Sequence, residues 1–162
     1  AKTFIYAFLY GAGASKIGKV VGAGAREGQI LIDRFLQNLP ALARLRKMVT
    51  EASEKGTVKA LDGRLLHIRS SHASLNTLLQ GAGAIICKEW LVQMDSLIRS
   101  SGIDAKLVAS VHDEYQFEVA KKDVDVLGDI TKKAMKQTEE SLDVGCPLDC
   151  DHKVGNTWAE TH

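Results

Sequence analysis

The sequence is poor in cysteine, with only Cys87, Cys146 and Cys150 among 162 residues. A small, odd number cannot build the disulfide framework of a secreted mini-domain, so a reducing cytoplasm is the expected compartment. No apolar run approaches the ~20 residues of a membrane span, so no membrane partner is expected. No stretch has the basic, apolar, small-residue order of a signal peptide. Proline is confined to Pro40 and Pro147, and there is no low-complexity linker. The Gly-Ala-Gly triplets at 11–13, 22–24 and 81–83 are unevenly spaced, which argues against a repeat array. There is also no initiator Met, and no capping residue precedes the apolar pattern that begins at Lys2. Both features predict a piece of something longer.

What is present is ordinary globular material. Hydrophobic residues make up 45% and charged residues 25%, which excludes a disordered tail. A chain of this length forms one domain and can bury a core without staples. The net charge of +1 is an average over uneven parts. Residues 1–47 carry +6, residues 48–120 carry −2 and residues 121–162 carry −3. A basic first third suits a polyanionic partner, and equally a solvated helical surface.

Periodicity predicts helices over 2–10, 15–21, 26–37, about 40–53, 73–100 and 121–142. Ile30, Leu31, Phe35 and Leu36 form the apolar side of the third. Leu42, Leu45, Met48 and Val49 point inward from the fourth, which Pro40 starts. Asp62-Gly63 between two β-prone runs predicts a hairpin with strands at about 57–61 and 64–68. A second hairpin pairs 106–111 with 115–119, joined by His112-Asp113-Glu114. The last 20 residues read as irregular. The expected fold class is α+β.

Three constellations stand out. Lys2, Tyr6 and Tyr10 recur every four residues ahead of Gly11, so a helix gathers an ammonium and two phenols on one stripe. Such a face meets a ligand with a phosphate end and a flat end; it also fits tyrosines buried in a core. His112-Asp113-Glu114 sets two carboxylates at a sharp turn, which suits solvent or a hard cation such as Mg²⁺. His72, Asn76 and Gln80 share one helical stripe whose amides can meet minor-groove acceptors; a plain solvated face has the same pattern. Three other patterns fall short. The glycines of 22–28 lack the spacing and βαβ setting of a dinucleotide loop. Cys146, Cys150 and His152 lack the second half of a zinc site. Ser70-Ser71-His72 lacks a nucleophile elbow.

Taken together, the constellations resemble the polymerase domain of family A (polymerase I-like) DNA polymerases, in particular their bacteriophage replicative branch. Lys2, Tyr6, Tyr10 and Gly11 match the fingers motif from its lysine onward. Val111, His112, Asp113 and Glu114 match the palm hairpin. Asp62-Gly63-Arg64, the His72…Asn76…Gln80 series and the ending Asn156 to His162 match further segments in order.

The resemblance implies a division into fingers helices at about 1–56 and a palm portion at about 57–162. It implies that Lys2, Tyr6 and Tyr10 bind a deoxynucleoside triphosphate. It implies that His72, Asn76, Gln80 and His112 contact primer-template DNA. Asp113 becomes a catalytic Mg²⁺ ligand and Glu114 its support. The fingers arginine and the other catalytic aspartate of the family lie upstream of Ala1. The chain is therefore expected to be inactive alone, as the C-terminal part of a longer polymerase or one chain of a split enzyme. Its partners would include that upstream region, in cis or as a second chain. The bare edge of an incomplete palm sheet also predicts self-association. The alternative is a non-catalytic DNA-binding remnant.

Overall fold

Helix α1 (Lys2–Leu9) turns Phe8 inward and leaves Tyr6 outside. In the computed structural model, which describes residues 2–161, this helix is followed by α2 (Ala14–Val20), α3 (Ala25–Asn38) and α4 (Pro40–Ser53). The break between α3 and α4 is local chemistry. Leu39 precedes Pro40 and sits at φ −128°, ψ 68°, outside the helical region that a following proline disfavours. Pro40 then takes the first helical position, where its missing N–H costs nothing. Helices α2 and α3 touch where side chains are absent. A Cβ on Gly18 would meet the Gly24 carbonyl, and one on Gly28 would meet the Ala14 carbonyl.

The hairpin β1 (Thr57–Lys59) and β2 (Leu65–His67) comes next, with Val58 opposite Leu66. Asp62 caps its turn, accepting from the Arg64 backbone N–H at 3.2 Å and from Arg64 Nε at 2.7 Å. A short 3-10 turn at Ser71–Ala73 leads into α5 (Ser74–Ser101), a helix of 28 residues. Strands β3 (Ala105–Val111) and β4 (Glu114–Val119) form a second antiparallel pair. Helix α6 (Val124–Ser141) and a single-turn α7 (Trp158–Thr161) complete the chain. Among the described residues no helix is long and apolar enough to cross a membrane.

The chain divides inside α5 into two compact units, residues 1–82 and 83–162. The first has a core of Phe8, Ile17, Ile32 and Leu75. Phe35 meets Phe4 and Phe8 edge-on, with ring centroids 5.2 and 5.1 Å away. Such edge-to-face pairs add stabilisation beyond the area they bury. The second unit has Trp90, Met94 and Ile98 from one face of α5, packed with Leu127, Ile130, Ala134 and Met135 of α6. Trp90 Nε1 donates to the Thr131 carbonyl at 3.0 Å, so its buried N–H is satisfied. The tail is tied to α6 where Glu139 pairs with Lys136 and accepts from the Leu148 N–H at 2.9 Å.

The α+β expectation holds, and the helices fall close to where periodicity places them. Four details differ. The last 20 residues, read as irregular, include the single turn of α7. Met48 is 65% exposed, because it lies about 100° around α4 from Val49, which faces the core. Ile30 is also exposed, because the inward centre of α3 is Ile32. Glu114 belongs to strand β4 rather than to the connecting turn.

Candidate functional site

In the first unit the Lys2, Tyr6, Tyr10 stripe faces solvent. Tyr6 is 53% and Tyr10 59% exposed, so neither is a core residue. Lys2 Nζ sits 5.9 Å from the Tyr6 ring centroid, within cation–π range. Tyr10 follows the last residue of α1, its N–H still donating to the Tyr6 carbonyl at 2.9 Å. Gly11 then turns the chain at φ +79°. Only glycine suits this position, because a Cβ there would collide with the His72 carbonyl. The close approach lays the end of α1 against the 3-10 turn that starts α5.

His72 lies in that 3-10 turn and is exposed, while Asn76 and Gln80 follow on α5. Gln80 Nε2 donates to the Tyr10 hydroxyl at 3.3 Å. The structure thus joins one member of each N-terminal constellation. Nothing in the sequence spacing signals that contact, since 70 residues separate the pair.

In the second unit Asp113 occupies the tip of the β3–β4 hairpin. Val111 pairs with Glu114, so the connection is only two residues, His112 and Asp113. His112 takes φ +54°, a left-handed conformation that histidine tolerates better than most residues. A β-bulge interrupts β3 between Leu107 and Ala109, and bulges recur beside functional residues. Asp113 is exposed, and Glu114 is half-buried and accepts a hydrogen bond from Gln116 Nε2. The adjacent carboxylates therefore have different surroundings.

The hairpin is moored to α5 beneath it. The Tyr115 hydroxyl donates to the Cys87 carbonyl at 2.9 Å, and its ring packs on Trp90 with centroids 5.3 Å apart. Burial raises the pKa of Tyr115 above the ordinary phenol value, with a smaller upward push from Cys87 once that thiol has ionised at high pH. Burial likewise raises the Cys87 thiol pKa, helped by the negative charge of Asp113. Cys87 is therefore held as a neutral thiol near the hairpin tip. The mooring was not readable from sequence, because Tyr115 looks like any strand aromatic.

Mg²⁺ takes oxygen ligands and is commonly held by one or two carboxylates, with waters and substrate phosphates completing the shell. Asp113 and Glu114 are donors of that kind. Among the described residues no three His, Cys, Asp or Glu side chains gather into a metal cluster. The residues fit a hard cation as part of a donor set, and do not supply a whole one. Cys146, Cys150 and His152 form no cluster either; the His152 ring packs over Gly128 of α6.

Comparison with known proteins gives this arrangement its context. The profile of DNA polymerase family A matches residues 1–160. The chain belongs to that family. It is 39% identical to the DNA-directed DNA polymerase of Enterobacteria phage T3, aligned over all of this chain and 26% of that one. It is 40% identical to the DNA-directed DNA polymerase of Escherichia phage Phieco32, over all of this chain and 28% of the relative. The bacterial DNA polymerase I of Pseudomonas aeruginosa is 31% identical, over the whole chain and 19% of that protein. The chain thus spans about a quarter of the length of the phage relatives it matches. Its fold is also that of the POL domain of Pol1 from M. smegmatis, solved in complex with DNA primer-template and dNTP. That likeness has a TM-score of 0.77 at 21% identity, over 85% of this chain and 26% of the other.

Proposed function

We propose that this chain forms the fingers and part of the palm of a DNA-directed DNA polymerase, acting by template-directed nucleotidyl transfer. The single observation that carries the reading is the placement of Asp113 on a two-residue turn between paired strands, within a chain of family A. In this reading residues 1–56 are fingers and 57–162 palm. The partners are primer-template DNA, deoxynucleoside triphosphates and an upstream polymerase region, in cis or as a second chain.

The roles are those that the family resemblance implies, and the chemistry of each side chain supports them. Lys2 binds the triphosphate as a point charge at the exposed start of α1. Tyr6 packs against the nucleotide sugar, and Tyr10, with its hydroxyl held by Gln80, flanks the nascent base pair. His72, Asn76 and Gln80 contact the duplex, where minor-groove acceptors are common to all base pairs and report shape more than sequence. His112 contacts the primer end. Asp113, with support from Glu114, contributes a carboxylate to hold Mg²⁺. In the two-metal mechanism that the family implies, one Mg²⁺ would lower the pKa of the primer 3′-hydroxyl and a second would stabilise the leaving pyrophosphate. The protein's own part is positioning and charge, as in phosphoryl transfer generally.

The test is to supply the upstream region as a second polypeptide and assay Mg²⁺-dependent primer extension. Extension should appear with the pair, and Asp113→Asn should reduce it by at least about a hundredfold with the association intact. An associated pair that extends no primer sinks the catalytic reading and leaves a DNA-binding module.

A further inference from the structure

Strand β4 sorts its side chains by face. Tyr115, Phe117 and Val119 pack against the core of the second unit. Glu114, Gln116 and Glu118 therefore share the other face, since alternate residues of a strand point the same way. Glu118 is exposed there, whereas Glu114 and Gln116 are half-buried. An acid at all three positions would set like charges about 7 Å apart along one face. The middle position is instead an uncharged amide, which can donate at one end and accept at the other.

Both ends of that amide are engaged. Gln116 Nε2 donates to Glu114 Oε1. An ionised carboxylate only accepts, so the contact fixes which end of the amide faces Glu114. The amide oxygen meets Thr161 of α7, which returns to the hairpin across 45 residues of chain. The single proton of the Thr161 hydroxyl has two acceptors, the Gln116 amide oxygen at 3.4 Å and the Trp158 carbonyl at 3.1 Å. Across the strand pair Gln116 faces Ala109, which has no side-chain polar group to compete for the amide. A Glu side chain has several rotatable bonds, and a hydrogen bond to its charged form from a neighbour fixed on the same strand restricts them. We propose that Gln116 is a positioning residue for nucleotidyl transfer, its amide holding the Glu114 carboxylate where it supports Asp113. This rests on the polymerase reading and adds to it a residue to which that reading gives no role.

The test uses the pair of polypeptides described above, with kcat and the KM for deoxynucleoside triphosphate measured in primer extension. Gln116→Met keeps the length of the side chain and removes the donor. It should lower kcat about tenfold, as for loss of a group that orients a metal-site carboxylate, with KM within about twofold. Gln116→Glu keeps the shape and sets three acids on the face, so its kcat should fall at least as far. In a Glu114→Ala background Gln116→Met should cost nothing more, because a residue that acts through Glu114 has nothing left to hold. A second readout needs no turnover. In the metal-free full chain the Gln116 side-chain NH₂ signals should lie away from those of free glutamine in NMR spectra, and Glu114→Ala should return them. Unchanged kcat in Gln116→Met and Gln116→Glu overturns the proposal and leaves the polymerase reading standing. So does a rise in KM alone, which would make Gln116 a nucleotide contact. A further tenfold loss in the Glu114→Ala background, or NH₂ signals that ignore Glu114→Ala, overturns it as well. A wild-type pair that associates and extends no primer sinks the polymerase reading, and this role falls with it.

Discussion

The two units of this chain differ most in where they place their charge and their aromatic rings. The first carries twelve Lys and Arg against five Asp and Glu, a net of +7, the second nine Lys and Arg against fifteen Asp and Glu, a net of −6. The first gathers Phe8, Ile17, Ile32 and Leu75 into its core cluster and leaves Tyr6 and Tyr10 outside. The second gathers seven buried residues into its core cluster, buries Trp90 and half-buries Tyr115, and leaves only Trp158 of its described aromatic rings exposed. The difference suits the proposed roles: cations and exposed rings favour phosphates and bases, and acids on a stiff support favour a divalent cation. A net charge of +1 for the whole chain hides both.

The contrast can be broken most severely at the cores. Met94→Ala in the second unit should lower the opening free energy of α6 amides by about 2–5 kcal/mol in hydrogen exchange, because the fully buried side chain leaves a cavity. Ile17→Ala, equally buried, should act on α2 and α3 with a similar size. A much smaller effect at Ile17 would mean that the smaller core collapses around the gap.

The junction at Gly11 comes next. Gly11→Ala adds a methyl where the His72 carbonyl lies and forces alanine to φ +79°. It should cost about 1–3 kcal/mol in denaturant unfolding. No loss would mean that the approach of α1 to the 3-10 turn is looser than described. Tyr115→Phe keeps the ring on Trp90 and removes only the bond to the Cys87 carbonyl. It should cost about 1 kcal/mol, with faster exchange at β4 amides and no change in α1.

The smallest effect is at the turn of β1 and β2. The hydrogen bond from the Arg64 side chain holds the Asp62 carboxyl below the ordinary carboxylate value. A depressed folded-state pKa means stability present at neutral pH and lost as pH falls through the folded value. Because the pair is exposed, the loss should be slight and should shrink in high salt. Titration followed by NMR should find the Asp62 midpoint below that of an unfolded Asp, and Arg64→Ala should return it.

Much of this architecture was legible because local rules agree with one another. Pro40, Gly102 and Asp62-Gly63 mark ends and turns by their own backbone preferences. The long run of apolar steps from Leu75 to Ile98 leaves no alternative to α5. The inward faces were less legible at their margins. Met48 and Ile30 are apolar and neighbour buried residues, and only the packing decides which side of a helix is in. At the site, Asp113 on a hairpin was readable from its flanking strands. The Gln80 bond to Tyr10 and the Tyr115 mooring were not, since each joins residues far apart in sequence.

The bulge in β3 governs the tip through simple counting. At the open end of the ladder Leu107 faces Phe117. Carried forward unchanged, that register would set Ser110 opposite Glu114 and leave Val111, His112 and Asp113 in an odd-numbered loop. The extra residue between Leu107 and Ala109 shifts the match by one, so Val111 faces Glu114 and an even, two-residue loop remains. One unmatched residue five positions before Asp113 thus sets the parity of the ladder. Through it, a carboxylate that would have ended a three-residue loop stands instead on a two-residue turn at the end of two strands.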